Sequence, residues 1–140
     1  MTDIDIQERI EYLNRKIDEL YREINSYRER IAEMEDGCEE TTSIGRKWEG
    51  RIGDCYDSVR NGVRGLHPNS QFADYYLDKI NEILSGREVY EISDCISRMK
   101  TDFRNGVFQL EDDIEKNKAT IYRYETEIRD LMYARNRIGE

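Results

Sequence analysis

A chain of 140 residues with 38% charged side chains, one proline and a net charge of −9 has room for one domain with a modest core. That acidity argues against nucleic acid and anionic membrane surfaces as partners, and no apolar run approaches the roughly 18 residues that span a bilayer. The first residues, Met-Thr-Asp-Ile-Asp-Ile-Gln-Glu, lack the basic and apolar regions of a signal peptide, so a cytoplasmic protein is expected, with any export using another route.

In chain order, Thr2 or Asp3 can cap a first helix whose early acidic residues suit the helix dipole. Its apolar positions are Ile6, Ile10, Leu13, Ile17, Leu20, Ile24, Tyr27, Ile31 and Met34, spaced alternately by four and three. In a chain that is 37% apolar, such a run arises by chance about once in 10,000 trials. It is an unbroken heptad with isoleucine at each a position from Ile10 to Ile31, and its seam needs a partner helix to cover it. The helix is expected to end near Asp36-Gly37, glycine being the common residue just past a C-terminus.

Thr41-Thr42-Ser43 then offers a second N-cap, and Ile44, Trp48, Ile52, Cys55, Val59, Val63 and Leu66 form a new stripe. Gly45, Gly50, Gly53 and Gly62 interrupt it, marking either a bend or a close approach of another backbone. Leu66-His67-Pro68-Asn69-Ser70 is the clearest break, and a short helix over Phe72–Leu84 follows, closed by Ser85-Gly86.

From Arg87 the pattern is long again: Val89, Ile92, Ile96, Met99 and Phe103, then Val107, Leu110, Ile114, Asn117, Ile121, Tyr124, Ile128, Leu131 and Ile138. The step from Phe103 to Val107 is four where three is due, which predicts a kink or a turn at Asn105-Gly106. The two long seams can cover each other in an antiparallel pair that aligns Ile31 with Leu110, Tyr27 with Ile114 and Ile24 with Asn117. That register sets Lys16 against Glu127, Arg30 against Asp113, Arg28 against Glu111 and Glu35 against Arg104, with no like-charge pair.

The expected fold is therefore all-α: one domain built as a long, coiled-coil-like antiparallel hairpin with a shorter helical middle segment. Its parts are a helix over 1–36, a middle segment over 42–86 and a last helix over 87–138. A parallel homodimer is the competing topology, since Ile at a with Leu at d suits it and its Glu23–Arg28 and Arg30–Glu35 pairs are favourable.

Chemistry is sparse. Cys38, Cys55 and Cys95 lie far apart beside a single histidine, so no metal or cofactor is expected and the thiols read as small buried hydrophobes. His67 has no spaced nucleophile or acid partner, and the glycines match no phosphate loop. An enzyme is not expected.

Trp48-Glu49-Gly50 lies between the long amphipathic segments of a short, acidic, nearly all-helical chain. In this setting the chain resembles the W-x-G helical-hairpin proteins of bacterial type VII (Esx) secretion. In particular it resembles the longer helical partners that accompany LXG-domain toxins in Gram-positive bacteria. The resemblance covers the whole layout but, in motif, Trp48 and Gly50 alone. The family's second motif, an aromatic residue four before an acid, is matched twice, by Tyr90 with Asp94 and by Phe108 with Asp112. Short members place W-x-G in the turn of a two-helix hairpin, whereas here a helix-sized segment follows it.

The resemblance implies a small helical partner, acting as adaptor or chaperone, that pairs with the N-terminal LXG helices of a toxin and with other small W-x-G-like proteins. It implies recognition by a secretion ATPase at a surface containing Trp48 and Gly50, and export without a signal peptide. Beside this stand a self-associating coiled-coil scaffold and a toxin-neutralising protein that would bind a catalytic domain instead of a helical leader.

Overall fold

The computed structural model describes residues 2–66 and 71–138, with the side chains of 63–66 and 71–73 left out. The expected break at 67–70, including His67 and Pro68, lies outside the described residues, as do the side chains of Val63, Leu66 and Phe72. The described residues form three helices, α1 (Asp3–Leu66), α2 (Gln71–Leu84) and α3 (Arg87–Ile138), and no strand. The architecture is an all-α helical hairpin. Its residues cluster into two compact units. Each residue of a helix pair meets only partners at its own level, so contacts group locally instead of around one centre.

The terminal unit pairs Met1–Met34 with Asn105–Glu140. Thr2 caps α1: its hydroxyl oxygen accepts from the Asp5 N–H at 3.2 Å, while the Asp5 carboxylate accepts from the Thr2 N–H at 3.0 Å and the Thr2 hydroxyl at 2.7 Å. Those bonds, the side-chain one foremost, hold the Asp5 carboxyl below its ordinary value. Ile17, Ile24, Ile114 and Ile121 form the buried centre of the seam, with Leu20, Tyr27, Ile31, Tyr124 and Ile128 packed against it. Ile6, Ile10, Leu13 and Leu110 are buried as well, and Leu131 is half-buried. Each buried aliphatic side chain contributes roughly 1.5–3 kcal/mol, so this seam supplies most of the unit's stability.

Polar contacts fix the register. The Asn117 amide donates to Glu23 at 3.0 Å, one residue from the expected Ile24–Asn117 level, and Gly106 lies against Met34. Lys16–Glu127 and Arg30–Asp113, two of the three anticipated ion pairs within this unit, do not form; Glu127 instead binds Arg9, one heptad along, at 3.0 Å. Arg9 lies over the Tyr12 ring at 5.1 Å and offers two guanidinium nitrogens, so little further ordering is needed. Lys16 takes Glu19 of its own helix at 3.3 Å. Exposed pairs are too weak to override such local competition. Arg28–Glu111 and Glu35–Arg104 are likewise not ion pairs in the structure.

The central unit, Glu35–Arg104, contains the main departure from expectation. α1 does not end at Asp36-Gly37; it continues helical to Leu66. No glycine among the described residues adopts a positive φ, so Gly37 is not a helix terminator. Its missing side chain instead admits the Phe103 ring, whose Cζ lies 2.7 Å from where a Cβ would stand. Thr41 and Thr42 are not N-caps either. Their hydroxyls donate back to the Gly37 and Cys38 carbonyls at 2.7 and 2.9 Å, a bond available only inside a helix. Asn105-Gly106 forms no turn, α3 being helical throughout. The short helix and its close at Ser85-Gly86 lie where the pattern put them.

Candidate functional site

Trp48 belongs to α1 within the central unit. A Cβ at Gly45 would stand 3.2 Å from Ile96 Cγ2, and the Trp48 indole N–H donates to the Ser93 hydroxyl at 3.1 Å, so α1 and α3 run antiparallel here. Trp48 is half-buried, not a sealed core residue. It stands in the wall of an open groove of about 280 Å3. Its lining joins small or apolar residues, Gly45, Ser93, Ile96 and Ser97, to the charged Arg46, Glu49 and Lys100. An aromatic centre with one satisfied polar atom and charged neighbours is the composition of protein interfaces.

Gly50 points elsewhere. Two residues on, it is turned about 200° around the helix from Trp48, and nothing lies within 4 Å of its would-be Cβ. The tripeptide therefore presents two surfaces, an indole toward α3 and a bare stretch of backbone toward solvent.

The aromatic–acid pairs do not gather at this groove. Tyr90 and Phe108 are strongly exposed. Asp94 binds Arg98 at 3.0 Å and Asp112 binds Lys116 at 2.9 Å, both within one turn of α3. The bond from Asp112 raises the Lys116 pKa.

The thiols also depart from expectation. All three are free, Cys38 half-buried, Cys55 and Cys95 exposed. Among the described residues no group of three or more His, Cys, Asp and Glu side chains could hold a metal ion, and no helix is long and apolar enough to cross a membrane.

The groove itself was missed by periodicity, since Thr42, Arg46, Ser93, Ser97 and Lys100 carry no apolar signal. Only the register, which places 45 opposite 96 and 48 opposite 93, assembles them. No protein-family model matches the chain, and neither curated proteins nor solved structures include one significantly similar to it.

Proposed function

We propose that this chain is a small cytoplasmic helical adaptor, not an enzyme, that binds the helical N-terminal domain of a type VII-secreted, LXG-type toxin and presents an export surface that includes Trp48 and Gly50. The observation that carries the reading is the position of Trp48: the only tryptophan lies in an open groove instead of a closed seam. In the terminal unit Leu13 and Ile24 are fully buried, so the seam at those levels is closed. The groove, by contrast, joins an indole to small residues over which another backbone can approach closely. Gly50, on the opposite side of α1, leaves a second surface for the secretion ATPase while the groove is occupied. On this reading the adaptor travels with its cargo through a route that needs no signal peptide.

The test is light scattering on the full chain, alone and mixed with helical leader domains encoded beside it. A stoichiometric complex that Trp48→Ala abolishes without loss of helical circular dichroism supports the adaptor. Indifference to every leader would leave a self-associating scaffold. Capture of a toxin's catalytic domain instead would mark a neutralising protein.

A further inference from the structure

The Trp48 groove holds one charge that the protein itself leaves unanswered. Among the described residues four cationic side chains are half-buried: Lys16, Arg60, Lys100 and Arg135. Lys16 binds Glu19, Arg60 binds Asp57, and Arg135 donates to the Gln7 amide oxygen. Lys100, in the lining of the groove, forms no ion pair and no side-chain hydrogen bond with any described residue.

Its surroundings explain why. The residues one turn from Lys100 on α3 are Ile96, Ser97, Phe103 and Arg104, and none is an acid. With 45 opposite 96 and 48 opposite 93, the register sets Lys100 opposite Thr41. There the groove is lined by Thr41 and Thr42, whose hydroxyls already donate to the Gly37 and Cys38 carbonyls. The other two charges of the lining, Arg46 and Glu49, stand one turn apart on α1 and offset each other. They lie about 8 and 12 Å along the axis from the level of Lys100. The groove is thus net positive in a chain of net charge −9, and Lys100 is the charge left over.

We propose that the Trp48 groove receives a helix of another protein that carries a glutamate or aspartate at the centre of its contact face, and that this carboxylate pairs with Lys100. The proposal rests on the adaptor reading for the partner's identity and adds the chemistry by which the groove recognises it. The small residues Gly45, Ser93 and Ser97 let a helix come close enough for an acidic side chain to reach the ammonium group, while the indole covers the apolar part of the same face. A neutral residue at that place would bury Lys100 further without a partner, and a basic one would set two cations face to face. The groove therefore selects by charge as well as by shape.

Trp48 is the only tryptophan, so its fluorescence in the full chain reports occupancy of the groove. The probes are two amphipathic helical peptides of about 20 residues, free of tryptophan and alike except for glutamate or lysine at the centre of the apolar face. The glutamate peptide should give a saturable change with a Kd at least about tenfold below that of the lysine peptide. Lys100→Met, which keeps the aliphatic stem, should abolish that preference, and Lys100→Arg should keep it. Lys100→Glu should reverse it in favour of the lysine peptide, which no loss of folding can mimic. Equal binding of the two peptides, binding of neither up to about 1 mM, or a preference that survives Lys100→Met overturns the proposal. Leader domains separate it from the adaptor reading. A leader captured equally by the unaltered chain and by Lys100→Glu keeps the adaptor and overturns the pairing. A glutamate preference with no leader captured supports the pairing and sinks the adaptor.

Discussion

Gly37→Ala separates a glycine that ends a helix from one that admits a neighbour. Inside a helix this change ordinarily stabilises by roughly 0.5–1 kcal/mol, because alanine loses less backbone freedom on folding. Here the added methyl would stand 2.7 Å from Phe103 Cζ and 2.9 Å from its Cε1, well inside van der Waals contact. An aromatic ring cannot yield by bending, so either it leaves the contact or the helices part, and overpacking of this kind costs roughly 1–3 kcal/mol. The strain outweighs the propensity, giving a net loss of about 1–2 kcal/mol.

Gly50→Ala is the internal control. With nothing within 4 Å it should gain the full propensity term of about 0.5–1 kcal/mol. Urea unfolding followed at 222 nm, with the slope held common, reads both. The double variant Gly37→Ala/Phe103→Leu should recover part of the loss, since the smaller side chain vacates the clash. If Gly37→Ala stabilised the protein as much as Gly50→Ala does, the packing account of Gly37 would be wrong.

Three further outcomes follow from the terminal unit. Ile24→Ala, at a side chain 2% exposed, should cost about 2–4 kcal/mol in the same unfolding assay, and a cost under 1 kcal/mol would contradict a sealed seam. Asn117→Leu gives up one exposed hydrogen bond to Glu23 and gains apolar contact beside Ile24, so it should raise stability by about 0.5–1 kcal/mol; a drop would show that the amide does more than hold register. The Asp5 carboxyl titrates below its ordinary value, so the cap's contribution is complete above that value and is lost as pH falls through the lowered one. An NMR titration should show the Asp5 shift moving back toward normal in Thr2→Ala, and no movement would remove Thr2 as its cause.

Much of the molecule is legible in residue spacing. The alternation of four and three from Ile6 to Met34 and from Leu110 to Leu131 dictates two amphipathic helices, and their matching seams and flanking charges favour pairing with each other over a parallel homodimer. The Ser85-Gly86 stop is local backbone chemistry, and it too can be read directly. Spacing also picks out Trp48 as the one large aromatic amid glycines.

Other features depend on what a residue meets across the pair. Gly37 followed by two threonines has the local signature of a stop and a restart, yet Phe103, 66 positions later, turns the glycine into a packing notch, and the threonine hydroxyls bond back to carbonyls within the same helix. Glu127 takes Arg9 over Lys16 because weak exposed charges follow side-chain reach and local competition, which a heptad diagram does not contain. The Trp48 groove exists only once residues 41–49 and 93–100 stand side by side. Periodicity determines which face of each helix is apolar; the pairing of two helices decides which part of that face is closed and which part is left for another molecule.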